Sequence, residues 1–149
     1  MTLSEMREEL LGQHQAIREI IDAVRTCAEQ GSEGNTQAGA ELRGHLERLH
    51  DALTQHNARE EELLRHVIRH VDAWGDVRET LLGEHHRSEH IELVEALDRA
   101  VGTSDSAEAS RQVLGLLREI ADHMRQEEEY ILSPKVLTDD IVIDNSFGG

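Results

Sequence analysis

The sequence predicts an all-α fold, an antiparallel up-down four-helix bundle followed by a short C-terminal tail. Apolar residues recur at steps of three and four through four long segments, which is the helical period. Pro134 is the only proline, so nothing of that kind interrupts a helix before it. Aromatic residues make up 2 % of the chain, and the abundance of Leu, Ile, Val and Ala favours a bundle over a sheet sandwich. We expect one bundle domain at residues 1–134 and a tail at 135–149.

Capping and loop signals divide the chain. Thr2 and Glu5 have the spacing of a capping box at the start of the first helix, and Asp105 with Glu108 provides a similar signal for the fourth. The predicted helices, in order, are about 3–29, 40–71, 77–101 and 107–132. The predicted connections, from their glycine and polar composition, are 31–39, 72–76 and 102–106.

Charge and composition exclude several classes of protein. The formal net charge is -16, so the chain lacks the basic patch that nucleic acid or an anionic membrane surface requires. No apolar run is long enough to span a bilayer, and the first residues do not resemble a signal peptide. Cys27 is the single cysteine, so an intrachain disulfide is impossible. We therefore expect a cytoplasmic protein that binds neither nucleic acid nor membrane.

All four predicted helices carry polar side chains on the apolar stripe, where Leu or Ile is expected. Helical residues turn by about 100° each, and these polar residues fall near the centre of the stripe. They are His14; His56 and Glu60; His86 and His90; and His123 and Glu127. Burying them unpaired would cost several kcal/mol each. Neutral imidazoles and carboxylates gathered together are typical ligands of a metal ion, which would compensate this cost.

The polar residues also lie at matching heights along neighbouring predicted helices. Counted from the nearest predicted turn, the polar residues of paired helices lie at similar distances, so all seven can meet in one mid-bundle layer. This number of ligands exceeds the need of one tetrahedral zinc, and two carboxylates among histidines suit a pair of cations, for which iron and manganese are the natural candidates. The other histidines are interpreted as surface or boundary residues: His45, His50, His66, His70 and His85.

The ordered motifs His14, His56-x-x-x-Glu60, His86-x-x-x-His90 and His123-x-x-x-Glu127 resemble the hemerythrin-like (HHE cation-binding) domains over about residues 3–134. The resemblance implies a non-haem di-iron centre in which Glu60 and Glu127 bridge the two irons. It also implies that the histidines complete the coordination and that one iron keeps an open position. The oxygen-carrying branch of this family has His-x-x-x-x-Asp in the fourth helix. By that spacing Glu128 competes with Glu127, whereas the helical wheel favours Glu127.

Several functions are compatible with such a centre. The first hypothesis is binding of dioxygen or a related small ligand for storage, sensing or delivery. The alternatives are a redox enzyme that consumes peroxide or nitric oxide, an iron-storage or iron-responsive module, and a metal-free structural bundle. Whether the protein is an enzyme stays open at this point. The tail at 135–149 is either a disordered terminus or a segment that contacts a partner protein or another copy of the chain.

Overall fold

The computed structural model describes residues 1–70, 84–130 and 132, and it describes side chains at 1–65, 86–130 and 132. These ranges contain four helices and no strand: α1 (Leu3–Ser32), α2 (Thr36–His70), α3 (Glu84–Gly102) and α4 (Ser106–Tyr130). The prediction of an all-α fold is confirmed. The predicted turn at 72–76, the predicted start of the third helix at 77–83 and the tail at 135–149 lie outside the described residues.

The helices form an antiparallel bundle in which each helix packs mainly against two adjacent helices. α1 packs against α2 and α4, α3 packs against the same two helices, and α2 also meets α4 across the bundle. The short connections at 33–35 and 103–105 reverse the chain direction. The four amphipathic helices can therefore turn their apolar stripes toward one shared interior.

The helix ends follow the local sequence. The predicted capping box at the start of α1 is present, because the Thr2 hydroxyl accepts from the Glu5 amide and the Glu5 carboxylate accepts from the Thr2 amide. Asp105 caps α4 as predicted by accepting from the amides of Ala107 and Glu108 at 2.9 and 3.3 Å. These contacts satisfy backbone donors that have no partner inside the helix.

The predicted loop at 31–39 is wrong in extent, because only residues 33–35 connect α1 to α2. Gly34 has a φ of 94°, and the amides of Gly34 and Asn35 donate to the carbonyls of Gly31 and Gln30. This Schellman motif ends α1 sharply. The Asn35 side chain then accepts from the Ala38 amide at 3.0 Å and starts α2 at once.

Two glycines in the predicted loop serve helix packing instead. A Cβ on Gly31 would lie 2.5 Å from the Ser110 hydroxyl oxygen, and a Cβ on Gly39 would lie 2.8 Å from Cβ of Ser106. Both glycines are inside helices, so the missing side chain lets α1 and α2 approach the start of α4 closely. Composition alone does not distinguish this use of glycine from a loop.

The apolar core continues along the bundle on both sides of a polar layer. The larger cluster contains Ile21, Leu46, Leu97 and Val113 and lies toward the two short connections. A second buried set lies before the polar residues on α1 and after them on α2: Leu3, Met6, Leu10, Leu63 and Leu64. Within the described ranges, no helix combines the length and apolar character that crossing a membrane requires.

The close approach at Gly39 gives a test of the packing. Gly39→Ala should destabilise the protein by about 1 to 3 kcal/mol, because the new methyl group must displace Ser106. Gly44→Ala on the same helix is the matched control, since nothing lies within 4 Å of a Cβ there. It should stabilise the protein by about 0.5 to 1 kcal/mol through helix propensity. Chemical denaturation of both variants measures the difference, and equal effects would refute the packing role of Gly39.

Candidate metal centre

The polar layer collects the seven side chains predicted from the stripe. α1 provides His14, α2 provides a His-x-x-x-Glu pair, α3 a His-x-x-x-His pair, and α4 a second His-x-x-x-Glu pair. A spacing of four residues places both members of a pair on one helix face, one turn apart. All seven are at most 6 % exposed: His14, His56, Glu60, His86, His90, His123 and Glu127.

The donor atoms form two groups. In one group the donors of His86, His90, His123 and Glu127 lie within 4.8 Å of one another. In the other group the same holds for His14, His56, Glu60 and Glu127. Glu127 belongs to both groups, so its carboxylate lies between them.

The carboxylates connect the two groups in detail. The Glu127 Oε1 atom lies 3.4 Å from Nε2 of His14 and 3.3 Å from Nε2 of His123, whereas its Oε2 atom lies 3.1 Å from Nε2 of His86. Glu60 also reaches both groups. Its Oε2 atom lies 3.2 Å from Nε2 of His56, and its Oε1 atom lies 3.4 Å from Nε2 of His86. Both carboxylates therefore have the geometry of bridges between two positions.

Every histidine of the layer directs Nε2 toward the carboxylates. The Nε2 atoms of His14 and His56 even face each other at 3.0 Å. Several buried polar atoms have no hydrogen-bond partner: both carboxylate oxygens of Glu60, Oε1 of Glu127, and Nε2 of His90 and His123. Such unpaired buried atoms are costly, and cations bound among the donors of these groups would satisfy them. The donor set therefore fits a metal centre.

Comparison with protein families agrees with this geometry. The family model described as "Hemerythrin HHE cation binding domain" matches residues 5–133. The chain belongs to the hemerythrin HHE cation-binding family. No match was found among curated proteins or solved structures. The match supports the resemblance noted from the motifs, and it supports a metal-binding function for this HHE domain.

The adjacent residues Glu127 and Glu128 of α4 have different environments. Glu127 is 2 % exposed and belongs to both donor groups, whereas Glu128 turns toward α1. There Glu128 accepts two hydrogen bonds from Arg18, at 2.7 and 2.6 Å. Tyr130, three residues after Glu127, is 65 % exposed and lies on the surface, away from the donor groups.

The other described histidines lie away from the donor groups. His50 contacts Asp98 at 3.0 Å and Asp51 at 3.3 Å on the bundle surface. His45 is half-buried, as expected for a boundary residue. The side chains of His66, His70 and His85 lie outside the described residues.

Four residues that contact the outer nitrogens of the histidines were not predicted from the sequence. Glu61 was not singled out, and Glu128 was considered only as a rival of Glu127, but they lie 3.2 Å from Nδ1 of His90 and 3.7 Å from Nδ1 of His14. Gln13 and Glu89 were not singled out. They lie 2.7 Å from Nδ1 of His56 and 3.1 Å from Nδ1 of His123. Each of these four residues is adjacent in sequence to one of the seven polar-layer residues. That adjacency is the only sign of their contacts that the sequence offers.

In the metal-free protein, burial and nearby polar groups shift the pKa values of the two carboxyl groups in opposite directions. Burial and the negative charge of Glu127 raise the pKa of Glu60 well above its usual range. Burial also opposes ionisation of Glu127, but polar contacts with Glu60 and with the imidazoles of His123 and His14 outweigh it and lower the pKa of Glu127. Burial therefore favours the protonated form of Glu60 more than that of Glu127, and a bound cation would compete with that proton.

The pKa values of two histidines of the layer, His56 and His123, are also shifted in opposite directions. Burial lowers the pKa of His56, against the opposing effect of Glu127. Burial also opposes protonation of His123, but the hydrogen bonds and charges of Glu127 and Glu89 outweigh it and raise the pKa of His123. Since a metal ion binds the neutral imidazole, protons compete with it at His123 as the pH falls.

The raised pKa of Glu60 predicts a pH dependence of stability in chelator. Above about pH 4.5 the unfolded chain releases this proton while the folded protein keeps it, so the free energy of unfolding falls as pH rises, by at most about 1.4 kcal/mol per pH unit. Glu60→Gln lacks this proton, so its stability relative to the native chain should increase with pH. Chemical denaturation at several pH values in chelator measures this, and parallel curves would contradict the prediction.

Replacing a donor should abolish metal loading. His56→Ala or Glu127→Ala removes one donor side chain and leaves the remaining donors without a complete coordination set. Stable loading of the two predicted metal ions should therefore be lost. The increase in melting temperature that metal gives the native chain should be lost with it. His50→Ala is the matched control, because it removes a histidine from the same bundle but outside the donor groups. Metal analysis after desalting, together with thermal denaturation, reports both effects; loss of metal in the control alone would place the site elsewhere.

Proposed function

We propose that this HHE domain is a non-haem di-iron protein that binds dioxygen or a related small ligand, peroxide or nitric oxide, at the mid-bundle centre. Its role would be oxygen binding, storage or sensing. The observation that carries the proposal is the pair of donor groups that share Glu127, with Glu60 contacting both. Two carboxylates that each reach both groups suit two cations better than one.

The two groups are unequal in nitrogen donors. One group has three imidazoles and the other has two, and both have access to the same two carboxylates. Ions with more than four ligands would therefore retain a free position in the two-histidine group, at His14 and His56. A mixed imidazole and carboxylate set with open positions is typical of non-haem iron, and manganese is the second choice.

Iron bound in these groups would supply a redox-active centre with a position open to a small ligand. The protein residues have distinct tasks around it. Their imidazoles provide neutral donors, the two carboxylates balance the charge of the cations, and the apolar side chains on both sides exclude water. Leu10 and Leu63 lie within one turn of the donors on α1 and α2 and are fully buried.

Burial favours a small ligand. The seven donors are 0 to 6 % exposed, so a molecule that reaches them must pass between packed helices. Diatomic molecules and peroxide fit this requirement, whereas a larger organic substrate does not. Within the two donor groups every titratable side chain is a proposed metal ligand. Any enzymatic conversion of peroxide or nitric oxide would thus depend on the metal itself.

One further observation favours an iron-handling role as the alternative. A cleft of about 490 Å³ between α3 and α4 ends at His123, and four carboxylates line it together with Arg99: those of Glu89, Glu92, Glu119 and Asp122. Such a cleft attracts cations and borders the three-histidine group. The cytoplasmic location and a contact of the tail at 135–149 with a partner remain predictions from the sequence.

Reversible ligand binding can be tested by absorption spectroscopy. The iron-loaded, reduced protein mixed with dioxygen should develop a charge-transfer band that disappears when the gas is removed, with two irons per chain. The Glu127→Ala variant should show no band at the same protein concentration, because it lacks the carboxylate that joins both donor groups.

Other outcomes identify the alternatives. A band that forms once and does not reverse, together with consumption of added peroxide or nitric oxide, would favour the redox enzyme. Loading well beyond two irons per chain would favour storage. A protein that binds no iron and keeps its melting temperature in strong chelator would leave the metal-free bundle.

A further inference from the structure

The partners of the outer histidine nitrogens are arranged in a single direction around the bundle. Gln13 on α1 contacts His56 on α2 at 2.7 Å, and Glu61 on α2 contacts His90 on α3 at 3.2 Å. The next contact in the series joins α3 to α4, from Glu89 to His123 at 3.1 Å.

The last contact returns to the first helix. Glu128 on α4 lies 3.7 Å from Nδ1 of His14 on α1. This contact is longer than a hydrogen bond, but Glu128 is fixed in place by two hydrogen bonds from Arg18, one turn after His14. Each helix thus supports a histidine of the next helix, and the series closes on itself.

Helix geometry explains the arrangement. Each supporting residue is a sequence neighbour of a proposed metal donor, so it is rotated by about 100° from the donor and points at the adjacent helix. The neighbour precedes the donor on α1 and α3, as Gln13 precedes His14. It follows the donor on α2 and α4, as Glu61 follows Glu60. Because adjacent helices run in opposite directions, these opposite offsets are the same sense of rotation around the bundle.

We propose that Gln13, Glu61, Glu89 and Glu128 form a closed ring of positioning residues that orients Nε2 of the ligating histidines and makes the three-histidine group the tighter of the two metal positions. The proposal rests on the proposed metal-binding function. A side chain that accepts from Nδ1 fixes the tautomer, so the lone pair of Nε2 faces the metal. His14 and His86 both lack a hydrogen bond to Nδ1 among the described residues, but Nδ1 of His14 has the ion-pair contact with Glu128, whereas His86 has no such contact there and is outside the ring.

The charges in the ring are unequal. The three-histidine group has two carboxylates, Glu61 and Glu89, directly against His90 and His123. In the two-histidine group His56 has the neutral amide of Gln13, and the carboxylate near His14 is paired with Arg18. A carboxylate partner increases the electron donation of an imidazole more than an amide does. The ring therefore favours the cation in the three-histidine group and leaves the other position weaker.

Stepwise titration with Co(II) tests this asymmetry. The visible absorption of bound Co(II) follows the filling of the two positions, and it does not depend on any reaction with oxygen. Glu61→Gln and Glu89→Gln should weaken the tighter position by about 10-fold to 100-fold and leave the weaker one unchanged. Gln13→Glu should strengthen the weaker position. Both glutamates are about a third exposed, so these replacements leave the core intact.

Matched controls remove the same charge without touching a histidine. Glu62→Gln and Glu129→Gln alter exposed residues one position beyond Glu61 and Glu128 and should leave both Co(II) affinities unchanged. If Glu61→Gln behaves like Glu62→Gln, or if every variant weakens both positions equally, the ring is refuted while the metal centre stands. If the native chain binds no Co(II), the proposed metal function itself fails. Circular dichroism of each metal-free variant confirms that the helices are retained.

Discussion

The structure depends on one constraint: five imidazoles and two carboxylates are buried together in the middle of a largely apolar core. Several of their polar atoms lack a hydrogen-bond partner, and the raised pKa of Glu60 shows how poorly the buried site accommodates a second negative charge. A core of this kind is less favourable than one of leucines unless something else is bound. The metal-free bundle therefore carries an energetic cost at its centre that bound metal would reduce.

The remainder of the fold compensates for this layer. Apolar side chains fill the bundle on both sides of it, from Leu10 on one side to Ile17 and Leu53 on the other. Close helix contacts at Gly31 and Gly39 bring α1 and α2 against the start of α4, and a Schellman motif at Gly34 fixes their connection. These features position the four helices at the level of the donors, so that side chains far apart in sequence converge. The apolar parts of the bundle stabilise the fold, and its middle holds the candidate metal site.

Much of this could be predicted from sequence because the helical period is regular. A histidine or glutamate on an apolar stripe is conspicuous, so the seven side chains that the structure buries in one layer could be chosen from the sequence, and the helical wheel placed Glu127 rather than Glu128 on that stripe. The extent of the first loop could not be predicted, because glycine in a loop and glycine at a close helix contact look the same in composition. The contact that Glu61 and Glu128 each make with a histidine of the adjacent helix was also missed. It depends on which helices are neighbours and in which direction they run, and this is a property of the assembled bundle.

The most direct test of the account is X-ray absorption at the iron edge of the iron-loaded protein. The account predicts that each iron is surrounded by imidazole nitrogens and carboxylate oxygens, with a second iron as a close neighbour. A spectrum of isolated iron ions with no second metal nearby, or of ions with water as their principal ligands, would contradict it.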